Sequence, residues 1–169
     1  MRSARPIVLV LSVVVGLMAA LPAGATSGFN FQAHLAGANE VPPRDTLAQG
    51  QAVVRLSDDE TTVSWRLIAS NIDNVFAAHI HCGAPEVNGP VRVTLFAGTP
   101  AGGRFDGVLS SGSASVVGIT CPDGTPLVDA MRAGNTYVNV HTNDGVDPAN
   151  TGPGDFPGGE IRGQLAANG

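Results

Sequence analysis

Ala77-Ala78-His79-Ile80-His81-Cys82-Gly83, taken with the later Tyr137-Val138-Asn139-Val140-His141-Thr142, decides how this chain is read. Side chains alternate between the two faces of an extended strand. Val75, Ala77, His79 and His81 therefore share one face, and Phe76, Ala78 and Ile80 the other. In the second segment Val138 and Val140 point one way and Tyr137, Asn139 and His141 the other. Three of the chain's 4 histidines thus fall on the polar faces of two strands whose apolar faces look into a core.

Outward from these strands the pattern stays that of sheet and turn. Phe29-Asn30-Phe31-Gln32-Ala33-His34-Leu35 alternates apolar and polar residues as a half-buried strand does, and Pro42-Pro43 stops ladder pairing soon after it. Residues 51–56 and 61–70 read as a hairpin about the acidic turn Ser57-Asp58-Asp59-Glu60, with Val63, Trp65, Leu67 and Ala69 on one face and Trp65 as a core centrepiece. Val91, Val93 and Leu95 alternate with polar positions, and residues 105–117 read as one or two short strands broken at Ser110-Ser111-Gly112. One short helix is predicted, with Thr125 as N-cap, Pro126 at the first helical position, Leu127, Val128 and Met131 on its apolar side and Gly134 as its stop. A long loop over residues 143–159 precedes a last strand, Glu160-Ile161-Arg162-Gly163-Gln164-Leu165. With 22 glycines and 12 prolines, and some eight strands at short spacing, the fold class is all-β, an antiparallel sandwich or flattened barrel.

The amino terminus reads differently. Arg2 and Arg5 precede an apolar run over residues 7–21 that ends in Leu21-Pro22-Ala23-Gly24-Ala25. That is the layout of a secretory signal peptide over residues 1–25, cut after Ala25, leaving one domain over residues 26–169 with no membrane span after cleavage. The run is shorter than a comfortable span, and no cysteine follows it closely to take a lipid. Export to the periplasm, cell envelope or medium is the resulting expectation. With the two leader arginines set aside, seven arginines face 14 acidic residues, a poor surface for nucleic acid or anionic lipid. There is no lysine, which removes lysine-based covalent chemistry.

Cys82 and Cys121 both lie in the exported part, where an even pair most simply forms a disulfide. It would close a loop of about forty residues and stabilise by about 3–4 kcal/mol, fixing the end of the histidine strand. A thiolate metal ligand and a free thiol are the alternatives.

Five motifs in order, Glu40-Val41-Pro42-Pro43, Ala78-His79-Ile80-His81, Asn88-Gly89-Pro90-Val91, Tyr137-Val138-Asn139-Val140-His141-Thr142 and Gly158-Gly159-Glu160-Ile161-Arg162-Gly163-Gln164-Leu165, resemble the chordin-type (CHRD) domain. The resemblance implies an immunoglobulin-like or superoxide-dismutase-like β-sandwich of exported proteins, found singly in bacterial proteins and repeated in the animal morphogen antagonist chordin. It implies no settled catalytic activity. Chordin's growth-factor antagonism does not carry over, because its cysteine-rich binding modules are absent here.

His79 and His81, two apart on one strand, stand about 6.6 Å apart along the backbone, close enough for both imidazoles to lean onto one ion. His141 supplies a third nitrogen if its strand runs alongside, leaving a position for Glu160, His34, water or a small ligand. Imidazoles suit copper or zinc better than magnesium or calcium. The same His-x-His piece resembles the copper limb of copper/zinc superoxide dismutase. The plainer alternative is a hydrogen-bonded structural cluster with Asn139, Glu160 and Arg162. Glu40 and Arg162 are expected to form a structural ion pair between the first loop and the last strand. Asp144, Asp147 and Asp155 offer oxygen ligands for calcium but lack EF-hand spacing. No Gly-x-Ser-x-Gly elbow surrounds Ser110, Ser111, Ser113 or Ser115, and Ala101-Gly102-Gly103 precedes no helix. Two function classes follow. One is a non-catalytic module binding a metal ion or an extracellular protein; the other is a copper-dependent redox enzyme of superoxide dismutase type. The module is favoured, because a dismutase needs a fourth histidine and a second, bridged metal site that have no clear counterparts.

Overall fold

Alternating burial organises almost every strand in the computed structural model, which describes residues 29–168. The expected leader, residues 1–25, lies outside the described residues. Nine strands form among the described residues: β1 (Asn30–Ala36), β2 (Gln49–Leu56), β3 (Thr62–Asp73), β4 (Val75–Cys82), β5 (Val91–Ala97), β6 (Arg104–Ser115), β7 (Thr136–Thr142), β8 (Ile161–Gln164) and β9 (Ala166–Ala167). The helix α1 spans Leu127–Arg132 and a 3-10 turn covers Gly37–Asn39. In β1 and β2 every second side chain is buried, as expected of a sheet with one face toward a core.

The strands pair antiparallel in the order β5-β4-β7-β8-β1-β2-β3-β6, with β9 beside β1. The two ends of this order approach each other where the Ser110 hydroxyl of β6 donates to the Leu95 carbonyl of β5. The sheet is thus a flattened barrel, nearly closed. Its interior is apolar and continuous, holding Phe31, Leu35, Val54, Leu56, Leu67, Ile72, Ile80, Val138, Val140, Ile161 and Leu165, all fully buried. Burial of each large aliphatic side chain contributes about 1.5–3 kcal/mol, so this interior is the main stabilising element. Leu127, Val128 and Met131 of α1 join the same core.

Three local expectations are corrected. Trp65 is only partly buried and lies at the border of the core, its ring over Gly112 and its Nε1 donating to Ser110 Oγ at 3.0 Å. A Cβ at residue 112 would stand 2.8 Å from that ring, so the glycine makes room for the indole. Secondly, residues 104–115 form one unbroken strand, because the irregularities facing Leu67 to Ile72 are absorbed as bulges and not as a break. Lastly, Pro126 and not Thr125 occupies the cap of α1, with extended dihedrals and no side-chain capping bond. Thr125 instead donates its backbone N–H to Asp123. Gly134, at φ +72°, ends the helix as the pattern predicts.

Cys82, the last residue of β4, is disulfide-bonded to Cys121, 39 positions on, with Cα atoms 5.7 Å apart. The bridge ties the histidine strand to the segment leading into α1.

The outer face of β4, β7 and β8 is not open to water. All seven residues of β7 are buried, including the polar Asn139, His141 and Thr142. Segments 40–48, 83–90 and 143–160 lie over this face and bond to one another. Asn88 donates to the Val41 carbonyl, Arg44 donates to Asn150, and the Arg44 guanidinium sits 4.6 Å from the Phe156 ring centre. The result is a polar layer between sheet and loops.

Candidate metal centre

The site follows from strand register. β4 and β7 pair so that His79 faces Asn139, Ala77 faces His141 and His81 faces Tyr137. His141 therefore lies diagonal to His79 on the same face, within reach of its imidazole. The ring centres of His79 and His141 are 5.0 Å apart, those of His79 and His81 5.6 Å, and those of His81 and His141 5.8 Å. One ring nitrogen from each histidine falls within 4.8 Å of the other two.

Backbone carbonyls orient two of the rings. His81 Nδ1–H donates to the Gly89 carbonyl at 2.9 Å, and His141 Nδ1–H donates to the Pro157 carbonyl at 2.9 Å. Each bond places the ring proton on Nδ1 and leaves the Nε2 lone pair facing the cluster, the arrangement that outer carbonyls impose on metal-binding histidines. His81 Nε2 is buried and has no hydrogen-bond partner among the described residues. An orphaned buried acceptor of this kind costs about 1–3 kcal/mol, and an ion would relieve it. His79 Nδ1 stands 3.1 Å from His141 Nε2. Because His141 keeps its proton on Nδ1, His79 is the donor in this contact, and a metal would displace that proton to His79 Nε2. The separation suits two nitrogens sharing one ion at about 2.0–2.1 Å from each.

Electrostatics favour the ligand form of all three rings. Burial holds His79, His81 and His141 below the ordinary imidazole range, His141 most strongly, down to about 4. Desolvation of the charged ring is the leading cause in each case, and the mutual repulsion of the imidazoles adds to it at His81 and His141. At neutral pH the cluster presents three neutral imidazoles.

A second layer supports the first. Tyr137 stacks on His81, ring centres 4.8 Å apart and planes 9° apart, and its hydroxyl accepts from the Gly89 amide at 3.0 Å. β7 lies between β4 and β8, so Arg162 of β8 meets Tyr137 on the face opposite His81, its guanidinium 3.4 Å from the ring centre. Arg162 is buried and donates to Asn88 Oδ1 and to the carbonyls of Ala84 and Val87. These bonds hold the 83–90 loop over the site. Tyr137 and the Gly89 and Pro157 carbonyls are absent from the sequence reading of the site. Only Tyr137 carried a signal, by sharing its strand face with His141.

The remaining candidate residues sit elsewhere. Glu160 is buried but does not join the cluster. Its Oε1 accepts from the Thr46 hydroxyl at 2.6 Å, and its Oε2 accepts from the Thr142 hydroxyl at 2.6 Å and the Gly154 amide at 2.8 Å. Those three donors leave it as a staple between loops. His34 is exposed on β1. Glu40 and Arg162 form no direct ion pair among the described residues, although the charge of Arg162 acts on Glu40. Glu40 accepts from Asn139 Nδ2 at 3.3 Å, and burial raises its carboxyl to about 7 against the opposing pull of Arg162 and Arg44. Asp155 accepts from the amide and hydroxyl of Thr151, and Asp144 from the Val146 amide. Asp155 Oδ1 is buried without a partner, yet the acidic loop brings no three ligands together, and the histidine triad is the only metal-competent cluster among the described residues.

No helix among the described residues is long and apolar enough to cross a membrane. No curated protein and no solved structure matches the chain. A family model does match, that of the CHRD domain, over residues 31–165, a span that takes in every strand of the barrel's core and all three histidines. The chain therefore belongs to the CHRD domain family, whose domain occurs in extracellular proteins.

Proposed function

We propose that this CHRD domain is an exported, non-catalytic binding module whose ligand is a copper or zinc ion held by His79, His81 and His141. The observation that carries the reading is the buried, unpartnered Nε2 of His81, in a cluster where one ring nitrogen of each histidine lies within 4.8 Å of the other two. Neutral imidazole is the ligand form for both metals, and three nitrogens leave one position for water or a small ligand. Export is supported by the leader-like residues 1–25, the disulfide and the family's extracellular setting.

Calorimetric titration of metal-free protein with Zn(II) and with Cu(II) tests the site. One ion per chain is expected, with binding lost in the variant His79→Ala, His81→Ala, His141→Ala. Unchanged affinity in that variant would reject the assignment. A copper-dependent redox enzyme of superoxide dismutase type is less well supported, because the described residues offer neither a fourth clustered histidine nor a second metal cluster. Superoxide turnover by copper-loaded protein, abolished by His81→Ala, would favour the enzyme over the module.

A further inference from the structure

Resting on the metal reading above, we propose that the triad selects monovalent copper, Cu(I), over zinc and Cu(II), and that Arg162, acting through Tyr137, is the residue that sets this selection. The ligand-capable atoms are three imidazole nitrogens, with no carboxylate and no thiolate among them. Both sulfurs nearest in sequence are committed to the Cys82–Cys121 disulfide. Of the two buried carboxylates that follow His141 in the loop, Glu160 has its oxygens held by Thr46, Thr142 and Gly154, and Asp155 accepts from Thr151; neither belongs to the cluster. No carboxylate or thiolate therefore enters the ligand set to neutralise the charge of an entering ion.

Arg162 adds to that imbalance. Its guanidinium is buried and lies 3.4 Å from the centre of Tyr137, which lies 4.8 Å from the centre of His81. A fixed positive charge therefore stands one aromatic ring away from a ligand. A buried uncompensated charge is costly, and repulsion from a fixed cation grows in proportion to the charge of the ion. A dication meets twice the repulsion of a monocation. Cu(I) also needs only the three ligands present, whereas zinc prefers a fourth. His81 and His141 are buried at 7% and 8% exposure, so a water ligand can approach only past the half-buried His79.

The test is a set of affinity measurements on the full chain, made metal-free and anaerobic. A chromophoric Cu(I) chelator, a fluorescent Zn(II) chelator and a Cu(II)-binding peptide serve as competitors. Wild-type protein is expected to hold Cu(I) more tightly than either dication. Arg162→Met is expected to raise affinity for Zn(II) and Cu(II) on the order of tenfold more than for Cu(I). That tenfold difference between the copper states corresponds to a potential lowered by about 59 mV. Arg162→Lys, which keeps the charge, should retain the wild-type order of affinities. Arg162→Gln removes the charge yet can still donate to the Ala84 or Val87 carbonyl, so it reads the same effect where Arg162→Met fails to fold. Tighter binding of Zn(II) or Cu(II) by the wild type would overturn the selectivity while leaving the metal reading intact. Equal gains for all three ions in both neutral variants would overturn the role of Arg162. Absence of binding by any of the three ions would overturn both proposals.

Discussion

The two faces of β4 and β7 are both buried, and they are buried by different physics. Inward, Ala78, Ile80, Val138 and Val140 meet other aliphatic side chains and are held by shape and by exclusion of water. Outward, His79, His81, Tyr137, Asn139 and His141 meet loops, and each is held by a named partner: a carbonyl, a guanidinium, a carboxyl or another imidazole. A polar group costs free energy to bury unless it is paired, so the outer layer tolerates far fewer substitutions of type than the inner one. The few atoms left unpaired there are the informative ones, and His81 Nε2 is among them.

Ile80→Ala is the largest test of that contrast. It should cost about 2–5 kcal/mol in denaturant unfolding while leaving one metal ion per chain in the folded fraction. His81→Ala should do the reverse, abolishing metal binding at a smaller cost to the metal-free protein, because the lost His81–Gly89 bond is partly offset by removal of an orphaned acceptor. Equal stability losses, or metal binding that survives His81→Ala, would erase the distinction between the faces.

The pH dependence of the metal-free protein separates two outer-layer groups. His141 titrates at about 4 in the folded chain against an ordinary 6.5, so the unfolded chain takes up that proton first. Its contribution is complete above 6.5 and is lost as pH falls toward 4. Glu40 runs the other way. Raised from 4.5 to about 7, its contribution is complete below 4.5 and is lost as pH rises through 7. The Glu40 slope opposes that of His141 between these limits, while His79 and His81, also held low by burial, add to the histidine side, so wild-type stability should still rise from pH 4.5 to 6.5. Glu40→Gln should steepen that rise, adding a gain of about 2 kcal/mol on raising the pH across that window. Chemical unfolding at several pH values checks this, and a flat profile in the variant would contradict it.

The smallest expected effect concerns Glu160. Glu160→Gln disturbs three hydrogen bonds between loops and should cost about 1–3 kcal/mol, with metal affinity changed less than about twofold. A collapse of affinity would make Glu160 a ligand after all.

Much of the inner face was legible in the sequence. Alternation, strict in residues 29–35 and looser in 51–56 and 91–96, located strands to within one or two residues, since period-two patterning reports directly on a half-buried sheet. The histidines stood out for the same reason. Trp65 was misplaced because alternation tells which face a residue takes and not how far along the sheet the core extends. The unbroken β6 was missed because a serine-rich stretch with a glycine reads as a turn, while its pairing with β3 is a long-range property. The outer layer was the least legible part. Thr46 meets Glu160 across 114 positions, and Arg162 reaches the 83–90 loop across more than 70. No local pattern reports such pairings, and the Glu160 and Glu40–Arg162 expectations both involved residues of this layer.

Anomalous diffraction from crystals of the copper- or zinc-loaded protein tests the central claim most directly. One peak is expected per chain, at about 2.0–2.1 Å from His79 Nδ1, His81 Nε2 and His141 Nε2. A peak at the acidic loop instead, or none at the triad in a saturated crystal, would contradict it.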